Sequence, residues 1–241
     1  VFPMAPSDSV EAAFLGQVAV EGLKATRIAV YFVNSAYGTG IRTELARWLS
    51  NRGLAPVDEV PYVIGADLET LVEASVRRSR PDLAVLVGRR IEVARMAALL
   101  FDLDPSIRLL AADGAYDQLA ELISEAGPAA DSLYLTTFWV ADTTVPVQRE
   151  FIHRYRLDTG RDPTAFEAMR YDAVMVLAQA IREAGPDRAR IRDWLHSLGG
   201  SRPPYEGVTG EISFRRDAPR TLLLVRLRDG VPVTVPEAGV W

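Results

Sequence analysis

Apolar residues in this chain fall into short runs separated by segments of helical spacing. The run Ile28–Val33 is rich in β-branched and aromatic residues and predicts a strand. A short polar turn follows at 34–40, Asn-Ser-Ala-Tyr-Gly-Thr-Gly. Ile41, Leu45, Trp48 and Leu49 then recur at helical spacing, and Gly53 stands where a helix C′ glycine belongs. Upstream, Ser7 or Asp8 can cap an amphipathic helix carrying Ala12, Leu15, Val18, Ala19 and Leu23. Downstream the alternation continues. A strand over 56–63 precedes a helix capped by Asp67, and Pro81-Asp82 separates that helix from the apolar run Leu83–Val87. Gly88-Arg89-Arg90 reads as a loop, and Ile91, Ala94, Ala98 and Phe101 as a helix. A strand over 107–111 ends in Ala112-Asp113-Gly114. Leu119, Leu122 and Ile123 mark a further helix, closed by Gly127-Pro128, before a strand over 133–140. A continuous run such as Leu83–Val87 suits a strand covered on both faces. Strand–helix alternation with short connections predicts an α/β fold with a parallel sheet and right-handed crossovers.

Past Ala141 the pattern changes. Pro146 opens a helix through Phe151, Ile152 and Tyr155. The longest periodic segment covers 166–184, with Phe166, Arg170, Ala173, Val174, Leu177, Ile181 and Ala184, and a third helix carries Ile191, Trp194, Leu195 and Leu198. Three helices with no strand between them predict a separate core. The chain closes with a strand over 222–227, an Asp229-Gly230 hairpin signal and a strand over 231–235.

Composition narrows the function. Among the 241 residues 49% are hydrophobic, enough for a sizeable core. The net charge of −5 argues against a nucleic-acid partner, which needs a basic surface. There is no cysteine, hence no disulfide, thiolate nucleophile or Cys-ligated metal. No apolar run is long enough to span a bilayer. The chain starts at Val1, which is not read as a native start, so the lack of a signal peptide leaves location open.

Ligands of open α/β sheets bind beyond the carboxyl ends of strands, so the 34–40 turn, with Ser35 and Tyr37, is the first candidate site. Gly38-Thr39-Gly40 invites a dinucleotide reading, but Thr43 stands where the third glycine belongs and the turn is too long. A glycine turn that only starts the helix and a small-molecule site using Tyr37 remain as readings. Arg89, Arg90 and Asp113 stand at neighbouring strand ends. They could grip the two ends of a zwitterion, pair with one another, or face solvent. His153 and His196 lack partners at metal spacing, and Ser35 lacks a base, so neither a metal nor a cofactor nor an enzyme is expected.

The order of landmarks resembles the periplasmic ligand-binding proteins of branched-chain amino-acid ABC transporters, the leucine/isoleucine/valine-binding type. These landmarks are Pro6-Ser7-Asp8, Tyr37-Gly38-Thr39-Gly40, Pro81-Asp82 before a strand, and Asp113-Gly114 after one. Phe151-Ile152-His153-Arg154-Tyr155 with Gly160-Arg161-Asp162-Pro163, and Tyr171-Asp172-Ala173-Val174, follow in order. The last is Gly207-Val208-Thr209-Gly210-Glu211-Ile212-Ser213-Phe214.

The resemblance implies a type I periplasmic-binding-protein fold without about the first third of the family's chain. Residues 1–138 would form the C-terminal lobe, 139–219 a mainly helical returning segment of the N-terminal lobe, and 220–241 the final strands of the C-terminal lobe. The 166–184 helix would then have an apolar face whose usual sheet is not in this sequence. The implied function is extracytoplasmic capture of a small amino-acid-like or carboxylate ligand between lobes, for the permease subunits of an ABC importer. A ligand-sensing domain of a receptor or regulator with the same fold is the alternative. The implied location is periplasmic or extracellular, with a lipoprotein anchor as one form. The implied ligand contacts are Tyr37, an arginine at 89 or 90, and Asp113 toward the ligand ammonium. Family members often place an aromatic or small residue at the arginine position, so an arginine would favour an anionic ligand tail.

Overall fold

The computed structural model describes residues 1–215 and 222–235. The chain divides into two compact units, Ser7–Thr137 with Leu222–Trp241, and Val1–Pro6 with Phe138–Thr221. The lobe boundary expected at 219/220 falls among residues 216–221, outside the described residues.

The first unit opens with α1, Asp8–Gln17, whose N-cap is Ser7; its hydroxyl accepts from the Val10 N–H. A wider π-type turn over Val18–Gly22 ends it, where the Leu23 N–H reaches the Val18 carbonyl at 2.7 Å. Strand β1, Ile28–Val33, is buried along almost its whole length. Helix α2 spans Ala36–Ser50, so the expected polar turn over 34–40 shrinks to Asn34 and Ser35. The physical reason lies in two residues. Ser35 caps the helix by accepting from the Gly38 N–H at 3.3 Å. Gly38 sits against the end of β1, where an added Cβ would run into the Val33 carbonyl oxygen. The glycine that looks like a loop residue is thus a close-approach residue inside the first helical turn. At the other end, Gly53 N–H reaches the Ser50 carbonyl and Leu54 N–H the Leu49 carbonyl, each at 3.0 Å. That is the Schellman arrangement, with Gly53 at its left-handed position.

Strand β2, Asp58–Tyr62, leads to α3, Leu68–Ser79, capped by Asp67. Strand β3, Leu83–Val87, is buried at every position. Helix α4, Arg90–Leu103, begins one residue earlier than expected: only Arg89 is the cap, and Arg90 is helical rather than loop. Strand β4 is Arg108–Ala111, followed by a short 3-10 turn over Asp113–Ala115. Helix α5, Leu119–Ala126, runs into a second 3-10 turn over Gly127–Ser132, and β5, Leu133–Thr137, stops three residues short of the expected end.

These strands form a parallel sheet in the order β2-β1-β3-β4-β5. The order reverses between β1 and β3, the switch point at which connections leave to opposite faces and open a crevice at the carboxyl ends. Residues 34–38, 88–90 and 112–114 follow β1, β3 and β4, so the sheet places them side by side.

The second unit holds α6, Pro146–Thr159, α7, Ala165–Ala184, and α8, Arg188–Ser197. A small antiparallel hairpin, β6 Tyr205–Gly207 and β7 Gly210–Ile212, follows. Val176, Ala180, Trp194, Leu195 and Leu198 form its core, with Phe2 and Phe214 packed on it. Asp172 on α7 is 1% exposed. Its carboxyl accepts from the N–H groups of Val208 and Thr209, both at 2.8 Å, and ties the hairpin to the helix. On the other side of α7, Val174, Leu177 and Ile181 stay 66%, 44% and 41% exposed. These three belong to the periodic set read from the sequence.

Strands β8, Leu223–Arg228, and β9, Val231–Thr234, return to the first unit's sheet beyond β5. Both run antiparallel to their neighbours, so the seven-stranded sheet is mixed rather than wholly parallel. Asp229 and Gly230 both take positive φ, the tight hairpin turn their sequence signals.

Candidate ligand site

Three strand ends converge on Tyr37, the second residue of α2. Its hydroxyl donates to Asp113 Oδ1 at 2.9 Å and accepts from the Gly114 N–H at 3.2 Å. Gly114 makes that approach feasible: a Cβ there would stand 2.7 Å from the Gly88 carbonyl oxygen and 3.1 Å from the Tyr37 hydroxyl. Asp113 opens the 3-10 turn after β4, and its backbone N–H donates to Glu11 Oε1 at 2.6 Å. The same oxygen accepts from the Thr136 hydroxyl of β5 at 2.9 Å. A tyrosine and two carboxyl groups from separate elements thus share one hydrogen-bonded cluster.

Its electrostatics are unusual for a surface crevice. Burial pushes the Glu11 carboxyl up to about 8, with the negative charge of Asp113 adding to it. Burial also raises Asp113, against donation from Tyr37, Glu11 and the Gly114 N–H. Tyr37 moves well above its usual range, through burial and then the charges of Glu11 and Asp113, so it acts as a neutral donor. Among the described residues no group of three or more His, Cys, Asp and Glu is arranged to hold a metal ion.

The other expected residues stand differently. Ser35 spends its hydroxyl on the helix cap. Arg90 turns toward α5, with Nη2 2.7 Å from Glu121 Oε2 and Nη1 3.5 Å from Asp117 Oδ2. It pairs with neither Asp113 nor a free position. Arg89, at the α4 cap, is exposed and carries no ion pair among the described residues. Glu11 escaped the sequence reading. The available signal was its place four residues before Leu15, an acidic residue on the buried stripe of α1.

Comparison with known proteins gives a consistent result. Leu/Ile/Val-binding protein homolog 1 of Brucella suis is 25% identical over 208 residues, 86% of this chain and 54% of that protein. The chain thus spans about half the length of the curated relatives it matches. A leucine-binding protein from Thermotoga maritima superposes with a TM-score of 0.85 at 25% identity, over 98% of this chain and 67% of that one. A solute-binding protein of R. palustris in complex with benzoate gives 0.82 at 14% identity, over 98% and 64%, a likeness of fold alone. These neighbours carry the type I periplasmic binding fold, whose α/β sheet and strand-end crevice match the unit built on β1–β5. The family model described as periplasmic binding protein matches residues 1–230, and the chain belongs to that family.

Proposed function

We propose that this chain forms the ligand-gripping part of the solute-binding component of an ABC importer. Its ligand is a small molecule carrying an amino group, an amino acid or a close analogue. Asp113 pairs with the ammonium, Tyr37 orders Asp113 and lines the crevice, and Arg89 takes an anionic tail where the ligand has one. Arg90, held by Glu121 and Asp117, positions the start of α4. Ser35 acts through the cap that sets the first turn of α2. The observation that carries the reading is the Tyr37–Asp113 hydrogen bond at the carboxyl ends of β1 and β4. It presents a carboxylate with one oxygen already fixed, in the crevice where such sheets bind ligands. The unit of Ser7–Thr137 with its last strands fills the role of one lobe, the helical segment fills part of the other, and the remaining ligand contacts come from outside the sheet unit. The role is binding without turnover, and the location is outside the cytoplasmic membrane. Among the described residues no helix is long and apolar enough to cross a membrane.

A thermal-shift panel tests this, run on the 241-residue chain and on the product of the complete gene. The panel holds branched-chain, acidic and aromatic amino acids, their deaminated analogues, and benzoate. Binding to the native state raises the melting temperature by mass action. Amino acids should shift it and their deaminated analogues should not, and Asp113→Asn should abolish the shift. A preference for benzoate or the deaminated acids would refute the assignment of Asp113. Arg89→Ala should weaken acidic ligands selectively; an equal loss for leucine and glutamate would remove Arg89 from the site.

A further inference from the structure

The strand-end site contains a group that these ligand contacts leave unused. Glu11 is 3% exposed and lies behind Asp113. Its Oε1 already accepts two donors, the Asp113 N–H and the Thr136 hydroxyl. The 2.6 Å bond from the Asp113 N–H holds the two carboxyl groups next to each other, and the charge of Asp113 adds to the effect of burial on Glu11. Two buried carboxyl groups held this close repel when both are ionised, which favours a proton on one of them. Asp113 Oδ1 takes the Tyr37 O–H, which favours Asp113 as the ionised partner. Glu11 Oε2 is the place left for the proton.

The surroundings supply no positive charge to do the proton's work. Asp8 and Glu11 come from α1, Tyr37 from α2, and Tyr116 ends the 3-10 turn. The charge of Asp8 opposes ionisation of Asp113. From the start of α4, Arg90 is spent on Glu121 and Asp117, and Arg89 is exposed. Among the described residues no ion pair reaches either Glu11 or Asp113. Two adjacent buried carboxylates without a cation cannot both stay ionised.

We infer that Glu11 and Asp113 share one proton in the ligand-free protein, and that a cationic ligand group reaching Asp113 expels this proton from Glu11 to solvent. The inference rests on the proposed binding role of Asp113 and adds Glu11 as a positioning residue behind it. The charges balance without any covalent step. The free pair carries one proton and one negative charge. The bound pair carries two negative charges and the ligand's one positive charge, and the proton passes to the buffer. A cation is therefore exchanged for a proton at constant site charge, whereas a neutral group gains nothing from the second carboxyl. Glu11 thus makes the site selective for ammonium-bearing ligands, more strongly as pH rises.

The test is titration calorimetry with L-leucine near neutral pH, in two buffers of different ionisation enthalpy. Wild type should release about one-half to one proton per leucine bound. Glu11→Gln should bind with no release, and 4-methylpentanoate, which lacks the amino group, should release none from either protein. A loss of packing alone would weaken binding without removing the buffer dependence. Infrared spectra of the ligand-free proteins add a second readout. A buried protonated-carboxyl band should be present in wild type and missing in Glu11→Gln. Should that variant fail to fold, the wild-type buffer dependence and infrared band still decide. Leucine binding without proton release, or absence of the band, overturns the inference and leaves the proposed function standing. Failure of every amino acid to bind overturns the proposed function and the exchange with it, even if the band shows that the proton pair exists.

Discussion

Replacing Glu11 by glutamine keeps the shape of the side chain and removes its titration, which turns the buried carboxyl pair into a stability measurement. The ordinary value for a glutamate is 4.5, and in the folded chain burial beside Asp113 pushes Glu11 up to about 8. Between those values the folded state holds a proton that the unfolded state has released. Stability therefore falls as pH rises through the window, by at most about 1.4 kcal/mol per pH unit. Below it both states are protonated, and the penalty is absent. Carried across the whole interval the loss reaches about 5 kcal/mol. A buried ion recruits water and rearranged donors, so a measured loss of about 2–3 kcal/mol is expected.

Urea unfolding of wild type and Glu11→Gln at intervals from about pH 5 to about pH 9 isolates the contribution of the Glu11–Asp113 pair, because titrating groups not coupled to Glu11 cancel in the difference. In the variant, the side-chain carbonyl oxygen can still accept from Asp113 N–H and the Thr136 hydroxyl, and the new NH2 group carries no charge. The two proteins should agree within about 1 kcal/mol at the acidic end, with the variant the more stable by about 2–3 kcal/mol at the alkaline end. A difference that stays constant with pH would show that Glu11 does not titrate in this window, and the shared proton would have no basis.

Three further substitutions probe the same framework. Tyr37→Phe removes the donor to Asp113 and the acceptor for Gly114 N–H; it should cost about 1–3 kcal/mol in urea unfolding and raise the Asp113 titration further, and an unchanged Asp113 carboxyl resonance across the pH range would contradict the bond. Gly114→Ala drives a Cβ toward the Gly88 carbonyl; it should cost about 1–3 kcal/mol and weaken ligand binding, and wild-type stability would show that the three strand ends are not closely packed. Asp172→Ala strands the buried N–H of Val208 and that of Thr209; it should cost about 3 kcal/mol and speed amide exchange in the Tyr205–Gly207 and Gly210–Ile212 strands, while unaltered exchange there would mean that the hairpin is held by other contacts.

Much of the fold is legible in the sequence because parallel strands covered on both faces leave continuous apolar runs. Leu83–Val87 is the clearest, buried at all positions, and each helix between strands shows its spacing or its cap. The start of α2 reads as a loop because a Ser-Ala-Tyr-Gly-Thr-Gly stretch has loop composition. Nothing local reveals that Gly38 is demanded by the Val33 carbonyl rather than by a turn. Strand order and the antiparallel return of β8 are tertiary facts: Leu135 opposite Val225 is a pairing across about ninety residues that no local pattern encodes. The three candidates Tyr37, Arg89 and Asp113 are visible as strand-end residues, but the commitment of Arg90 to Glu121 depends on how α4 and α5 pack. Glu11 is hidden for a different reason. A glutamate on a helix near a chain's start is ordinarily a solvated charge, and only burial at 3% exposure against β5 and the Asp113 turn changes its chemistry.

That contrast bears on how one scaffold serves different ligands. Superposition on both a leucine-binding and a benzoate-bound protein shows that the fold persists while sequence identity falls to 14%. On the proposed function, ligand choice resides in a few side chains at the strand ends, each compatible with a buried, partly dry setting. A lone Asp113 could attract an ammonium, but it could also be satisfied by its own turn, since Tyr37 and Gly114 already surround it. A second carboxyl behind it changes the balance. It costs stability at every pH where it would ionise, and no cation from the described residues relieves it. The relief must come from outside the chain, either as a proton or as a ligand's positive charge. On the proposed exchange, the residue that weakens the fold at alkaline pH is by the same physics the one that gives a cationic ligand its advantage.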